Sequence, residues 1–450
     1  MLTLLPWASL TNWSVHFALE NSFSYDPSYS LRPIGSFLLR SRNEIAVQDD
    51  TTYQRLTVRW YSQGIVLRDM AKGQDIGTKR QFQVKTGQFV LSRIDARHGA
   101  MGMVPPEFDG AIITNDFPAY DLDLTIINPR FFVLITSTAA FMRFCQNCST
   151  GTTNRQRLDE ELFLNVAVPI PPLAEQVRLA AEHDRQMREA EQKRAEAVVT
   201  KQRQQITLYD QLGIELQSPR VKRNGFFFID YKELVAWGLD KNGVVVKTRS
   251  TKWPVVNLET HPVLYEAVYR GKSPVYANED PAARILNQKC VRWNSIDTQY
   301  AKTVSRQWLA GLDAGMKTQV GDILVNSTGE GTIGRAAVVE NEAVNLAFDS
   351  HVLLFRPDSS QLNAFLFAEI INSPYGQRQI EDLKSGQTTN QTELGVGNLK
   401  KILFPLPDFS TQQVIVKELR LLQEQEQALL TQADTLEAAA KAAFEAAIFA

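Results

Sequence analysis

Val168-Pro-Ile-Pro-Pro-Leu-Ala-Glu-Gln176 is echoed 236 residues later by Phe404-Pro-Leu-Pro-Asp-Phe-Ser-Thr-Gln412. Proline fixes φ and cannot donate to a strand ladder, so each cluster should end a folded body and launch a helix. The echo extends upstream. Val84-Lys-Thr-Gly-Gln-Phe-Val-Leu-Ser92 reads like Thr318-Gln-Val-Gly-Asp-Ile-Leu-Val-Asn326, with Gly87 and Gly321 placed 234 residues apart. Gly151-Thr-Thr-Asn154 matches Gly386-Gln-Thr-Thr-Asn390, and Leu158 matches Leu394, whereas earlier parts match less well and only Trp13 and Trp237, at a different offset, offer paired starts of the two copies. An offset held so closely over this much chain marks a duplication. Each copy has one grammar: a strand-rich block, a proline stop and a long polar segment.

The polar segments read as helices. From Ile415 the second carries Leu419, Leu422, Glu426, Leu429, Ala433, Leu436, Ala440, Ala443 and Ala447 at alternating spacings of four and three, a heptad seam. Glu426 is its one charged interruption and must reach solvent or a basic partner. Ser410 or Thr411 offers an N-cap. The first helix, from Leu173 to Leu212, places Val177, Ala180, Met187, Val198, Leu208 and Leu212 on a comparable stripe, and Gly213 should end it. Each helix should span roughly 58 Å. The first leaves one block and arrives at the next, so a partner returning from the second block must run antiparallel to it. Two solvated helices, or a coiled coil between chains, would use the same stripes.

Composition sets outer bounds. The chain has 450 residues, 44% hydrophobic and 22% charged, enough for two or three cores. Met1–Leu10 lacks a basic n-region and a cleavage site, and no apolar run has membrane-spanning length, so a cytoplasmic protein without a membrane partner is expected. The net charge of -2 hides an uneven distribution: residues 32–97 hold twelve Lys/Arg against six Asp/Glu, and residues 241–335 thirteen against eight. Cys145 and Cys148 have zinc or redox spacing, but the repeat aligns them with Ile380 and Leu383, and Cys290 lies in the other copy. Buried structural thiols are therefore expected, and neither a metal nor any other cofactor is predicted. Gly329-Glu-Gly331-Thr-Ile-Gly334 fits a dinucleotide-binding pattern, yet the residues after it read as a strand rather than the required helix. A turn or a loop that approaches a ligand is the better use of those glycines.

The proline turn followed by Glu-Gln and a long helix, occurring twice, resembles the DNA-specificity subunits of type I restriction-modification systems. Glu175-Gln176 matches closely, whereas Thr411 replaces the glutamate in the second copy. Leu91-Ser-Arg-Ile-Asp95-Ala-Arg97 is likewise similar to that family's recognition domains. The resemblance implies an α+β chain in which two homologous α/β target-recognition domains are separated by two long helices forming an antiparallel coiled coil, with pseudo-two-fold symmetry. The corresponding divisions are residues 1–170, 171–213, 214–405 with a short basic linker at their start, and 406–450. It also implies a non-catalytic reader of a bipartite double-stranded DNA target with a fixed gap, docking two methyltransferase subunits and a restriction/translocase subunit. Such catalysis is expected elsewhere, because Val104-Pro-Pro-Glu-Phe lacks the amide or carboxylate of a flipped-base motif and no P-loop is found. A coiled-coil scaffold that never touches DNA, and a nucleotide-binding enzyme using Gly329–Gly334, are the competing readings.

Phosphate contacts should come from basic side chains and base contacts from polar neighbours. In the first domain the candidates are Arg55, Arg59, Lys79, Arg80, Arg93, Arg97 and His98. In the second they are Lys272, Lys289, Arg292, Arg306, Asn326, Ser327, Thr332 and Arg335. Thr153, Asn154, Thr389 and Asn390 sit in the paired glycine loops.

Overall fold

The computed structural model describes residues 25–150, 157–215, 250–278, 280–384 and 393–449. Trp13, Trp237, the basic linker past residue 215, and Thr153, Asn154, Thr389 and Asn390 with their glycine loops lie outside these residues. The chain divides into two compact units, one made of residues up to Arg194 together with Thr431–Ala450, the other of Ala195–Leu430.

The first unit is built on a four-stranded antiparallel sheet in the order Leu38–Ser41, Ala119–Leu122, Phe89–Leu91, Met101–Met103. Helices Pro129–Thr136 and Ala139–Asn147 pack their aromatic faces against it, burying Phe89, Phe131, Phe132 and Phe141 in one core with Cys145 and Cys148. Burial raises both thiols, Cys148 to about 12, which fits inert core packing rather than a reactive pair.

The second unit repeats that sheet strand for strand: Tyr265–Arg270, Val352–Pro357, Ile323–Asn326, Ala336–Val338. Helices Ala364–Asn372 and Pro374–Leu383 cover it, with Ile380 buried where the first copy has Cys145. Gly87 and Gly321 both adopt left-handed backbone, at φ 80° and 86°. The side chain after each closes its turn: Gln88 accepts from the Lys85 N–H at 2.9 Å, and Asp322 accepts from the Gln319 N–H at 2.7 Å. Across the sheet Gln88 donates to Asp121, whereas Asp322 takes an ion pair from Arg356 at 2.7 Å. The geometry is kept while the chemistry is exchanged.

The outer sheets differ. The first unit has five strands in the order Glu44–Ala46, Arg80–Gln83, Ile112–Ile113, Thr52–Val58, Ile65–Lys72. The second has three, Lys302–Thr303, Arg284–Leu286 and Ala347–Phe348.

Both proline clusters end their unit as the edge strand of a two-stranded pair, Ala167–Ile170 against Ser30–Pro33 and Phe404–Pro405 against Val255–Val256. An edge strand tolerates the missing N–H. The long helices then begin, Leu173–Leu212 and Phe409–Ile448, forty residues each. Gly213, at φ 62°, ends the first, and the Ile214 N–H reaches back to the Tyr209 carbonyl. The N-cap of the second is Asp408 rather than Ser410 or Thr411; its carboxylate accepts from the Thr411 N–H at 3.0 Å.

Each helix is moored by one buried glutamine. Gln176 accepts from the Asn128 N–H at 2.7 Å and donates to the carbonyls of Ile126 and Pro171 at 2.9 and 2.8 Å. Gln412 repeats the pattern with the Asn363 N–H at 2.9 Å and the carbonyls of Gln361 and Pro407, both at 3.0 Å. Asn128 and Asn363 are themselves the N-caps of helices Pro129–Thr136 and Ala364–Asn372. One amide thus ties the proline turn, the capping loop and the long helix together.

Within each unit the two helix segments run antiparallel. In the first, His183 packs on Phe444 and Arg194 pairs with Asp434 and Glu437 at 2.9 and 2.7 Å. In the second, Lys201 lies 3.5 Å from Glu426 and Gln211 donates to Glu418 at 3.2 Å. The charged break in the seam has therefore found a basic partner. The predicted stripe of the first helix holds in part: Ala180, Leu208 and Leu212 are buried as expected, whereas Val177 and Val198 are more than half exposed, and a second buried line runs through Gln176, His183, Ala190, Ala197 and Gln204, one heptad apart. On the second helix Ala443 is exposed and Phe444 takes its place in the core.

Replacing Gln176 by Ala orphans one buried N–H and two carbonyls, so stability of the first unit should fall by roughly 2–4 kcal/mol. Denaturant unfolding combined with hydrogen exchange at Asn128 measures it; unchanged protection at Asn128 would remove the clamp from the account.

Candidate nucleic-acid interface

In the first unit, strand pairing sets Phe82 beside Ile113, which brings Arg80 to the same sheet end as Thr114, Asn115 and Asp116. The loop after Phe89–Leu91 adds Arg93, whose N–H bonds the Asp116 carbonyl at 2.9 Å. Arg157 completes a depression of about 740 Å³, held by its ion pair with Asp116 at 3.1 Å. Three guanidinium groups, Arg157 paired with Asp116 and the exposed Arg80 paired with Glu44 at 2.6 Å, lie around an amide and two hydroxyls, a mixture suited to phosphate and base-edge contacts once those surface pairs exchange. Arg80 and Arg93 were expected here; Arg157, Asn115, Thr114 and Thr78 were not. The available signal was the Thr114-Asn-Asp116 run between two strands, a polar loop with acceptors and donors in sequence.

The remaining first-unit candidates separate. Arg55 is spent on a bidentate cross-strand pair with Asp69, both bonds 2.6 Å, and Lys79 is held by Asp49 and the Gly73 carbonyl, also at 2.6 Å. Arg97 and His98 lie in the short turn Ala96–His98, bonded to each other at 3.2 Å, and Arg59 is exposed at a hairpin tip.

In the second unit Lys272 and Lys289 are exposed, Arg306 pairs with Asp280 at 2.6 Å, and Arg292 lies 4.7 Å above the Tyr300 ring. Asn326 and Ser327 are fully buried, which closes direct base contact to them in this structure. Asn326 instead donates to the carbonyls of Gln288 and Val291 at 3.0 and 3.4 Å, fixing the loop beside it. The Thr332 hydroxyl donates within its own turn, to the carbonyls of Thr328 and Gly329, while Arg335 bonds the Gly331 carbonyl at 2.9 Å. The three glycines of this loop all have left-handed φ, and strand Ala336–Val338 follows, so no helix N-terminus is available to receive a pyrophosphate.

Beside this loop a cleft of about 510 Å³ is lined by Trp293, Asn294, Glu369, Lys201, Gln204 and Glu426, among others. Glu369 is buried and accepts a hydrogen bond from the Asn294 amide at 2.7 Å. Burial pushes its carboxyl up to about 7, opposed by Lys201 and reinforced by Glu426. By the repeat offset the sister position is Leu134, which sits in the apolar core of the first unit. A folded-state value above the unfolded one means that stability falls as pH rises from about 4.5 to about 7 and stays reduced above that. Glu369→Leu should therefore stabilise the second unit on the order of 3 kcal/mol at pH 8 and flatten its thermal stability between pH 5 and 7; a pH series of melting curves tests both.

Known proteins share this architecture. Residues 282–435 match the family model of the type I restriction modification DNA specificity domain. A chain from a structure describing complex assembly and conformational transition of the type I R-M system aligns over 94% of this chain and 98% of its own, at 18% identity and TM-score 0.57. The HsdS subunit from Thermoanaerobacter tengcongensis aligns over 95% and 98% at 16% identity, TM-score 0.44. The type I restriction-modification S subunit from M. genitalium aligns over 96% and 97% at 11% identity, TM-score 0.46. A search of curated proteins finds no match. Among the described residues no helix is long and apolar enough to cross a membrane. The resemblance carried by the repeated proline turn is met on both counts: most of the second copy matches the type I restriction modification DNA specificity domain, and nearly the whole chain shares its fold with a chain of a type I R-M system.

Proposed function

We propose that this chain is the DNA-reading specificity subunit of a type I restriction-modification complex, a cytoplasmic adaptor without catalytic residues of its own. Each unit reads one half of a bipartite duplex target. The long helices fix the gap and dock two methyltransferase subunits and a restriction/translocase subunit. In functional terms the chain is target-recognition domain 1 (residues 1–170), a spacer helix (171–213), target-recognition domain 2 (214–405) and a second spacer helix (406–450).

The observation that carries this reading is the duplication itself: one sheet, one helix pair and one glutamine mooring appear twice, while the outer sheets differ. Two related readers in one polypeptide suit the two-fold character of a duplex, and differing outer sheets suit two different half-sites. The arginine-lined depression of the first unit supplies the electrostatic component, where three guanidinium groups against the carboxylates of Asp116 and Glu44 leave an excess of positive charge that favours a polyanion over a small apolar ligand.

Selection from random duplexes, with the methyltransferase partners present, should enrich two short blocks separated by a constant gap. Enrichment of a single continuous site, or of none, would count against the proposal. On the selected duplex, Arg93→Ala combined with Arg157→Ala should weaken binding to every sequence and reduce the slope of log K against log salt by about 0.9 for each phosphate that is no longer neutralised. An unchanged slope would move the phosphate track elsewhere.

A further inference from the structure

Arg59-Trp-Tyr-Ser62 and Arg292-Trp-Asn-Ser295 lie 233 residues apart, in step with the other echoes of the repeat. Both are turns. The first closes the hairpin between Thr52–Val58 and Ile65–Lys72, and the second is closed by the bridge between Val291 and Ile296. In each, the residue after tryptophan has left-handed backbone, Tyr61 at φ 56° and Asn294 at φ 58°. Asparagine tolerates that region, whereas tyrosine is strained there. In each, the N–H of that residue anchors the turn on the segment following the central strand: Tyr61 to the His98 carbonyl at 2.6 Å, Asn294 to the Ala336 carbonyl at 3.1 Å.

The tryptophans are held in the open, 49% exposed at Trp60 and 46% at Trp293. A basic group from the neighbouring loop lies against each: the His98 ring is 4.9 Å from Trp60, and the Arg335 guanidinium is 5.6 Å from the Trp293 ring. Strand direction fixes where the turns point out of the sheet. Arg55 pairs in parallel with Ile112, and Leu286 with Phe348, so each turn leaves its sheet at the end where the polar loops Thr114–Asp116 and Asp349–His351 emerge. In the first unit that is the end bearing the arginine-lined depression. A turn needed only to reverse the chain would be filled by glycine, asparagine and polar residues. Here an indole and an arginine recur although the surrounding sheets have diverged from five strands to three. Strain and exposed apolar surface of this kind collect at functional sites.

We propose that the Arg-Trp-x-Ser turn is a duplicated duplex-DNA contact, in which the indole packs on deoxyribose and base edges and the adjoining arginine meets phosphate, one turn for each half of the target. This rests on the DNA-reading function proposed above. Trp60 serves the half read by the first unit and Trp293 the half read by the second. Arg59 and Arg292 flank them, with His98 and Arg335 setting the angle of each ring. An apolar wedge beside a cation is the combination that grips a nucleic-acid backbone and senses groove shape without a base-specific hydrogen bond.

The test uses the full chain and the duplex that the wild-type protein enriches from a random pool, together with two versions in which one half or the other is scrambled. Trp60→Ala should weaken binding at least tenfold, and scrambling the first unit's half should then cause little further loss, while scrambling the second half still does. Trp293→Ala should show the mirror-image pattern. Trp60→Phe and Trp293→Phe keep the turns packed and should give smaller losses with the same half dependence, so they report if an alanine variant unfolds. Variants that stay folded and bind all three duplexes as the wild type does overturn this assignment and leave the DNA-reading function intact. A wild-type chain that enriches no duplex overturns both.

Discussion

A single buried carboxamide, used twice, organises this molecule. A carboxamide carries an acceptor oxygen and two donor N–H groups on one uncharged side chain, and Gln176 and Gln412 use all three: each satisfies an N–H of a capping loop and two carbonyls. A glutamate could not donate, and an apolar residue would strand three buried backbone groups. Because the bonds join the first turn of a long helix to the N-cap of a domain helix, the helix direction is locked to the body it leaves. The proline turn before it removes competing N–H donors and holds the chain extended until the helix can begin.

From those moorings the two units keep a common interior and vary chiefly in their outer sheets. The four-stranded sheet and its helix pair are the same, down to the left-handed Gly87 and Gly321 and the side chain that closes the turn after them. The outer sheets differ in strand number, as do the charges that decorate them. This is the pattern expected of a scaffold that must present two different surfaces from two equivalent frames. Glu369 shows the same freedom inside the second unit, where a carboxyl occupies the place that Leu134 fills in the first. Its cost in stability is borne by a body with a large apolar core on the other side of the same helix.

Much of the candidate interface was beyond sequence reading for a geometric reason. Arg157 is far along the chain from Arg80 and Arg93, and only the Leu158 N–H bond to the Arg93 carbonyl and the ion pair with Asp116 bring it to their sheet end. Asn326 and Ser327 were candidates as polar residues beside the glycine loop, but Asn326 is the last residue of a central strand and Ser327 follows it, and both are fully buried. The recurring tryptophan turns share a four-residue frame, Arg-Trp-x-Ser, but no pattern in their flanking strands, and only the common backbone conformation and anchoring N–H make that short echo meaningful.

The residues alone determined the duplication, the ends of the first long helix at Leu173 and Gly213, the buried state of Cys145 and Cys148 and the strand after the Gly329–Gly334 loop. These are local or periodic properties, set by φ restrictions, glycine placement and a comparison of two copies. The sequence stripe also placed Ala180, Leu208 and Leu212 correctly on the buried side, but only the tertiary structure showed that Gln176, His183, Ala190, Ala197 and Gln204 are buried beside them while Val177 and Val198 face out. Gln176 is buried because its amide bonds Asn128, Ile126 and Pro171 of the folded body, contacts that hydrophobic periodicity along the helix does not register. Which charges pair, and which stay open to a ligand, was likewise set by neighbours that no sequence spacing reveals.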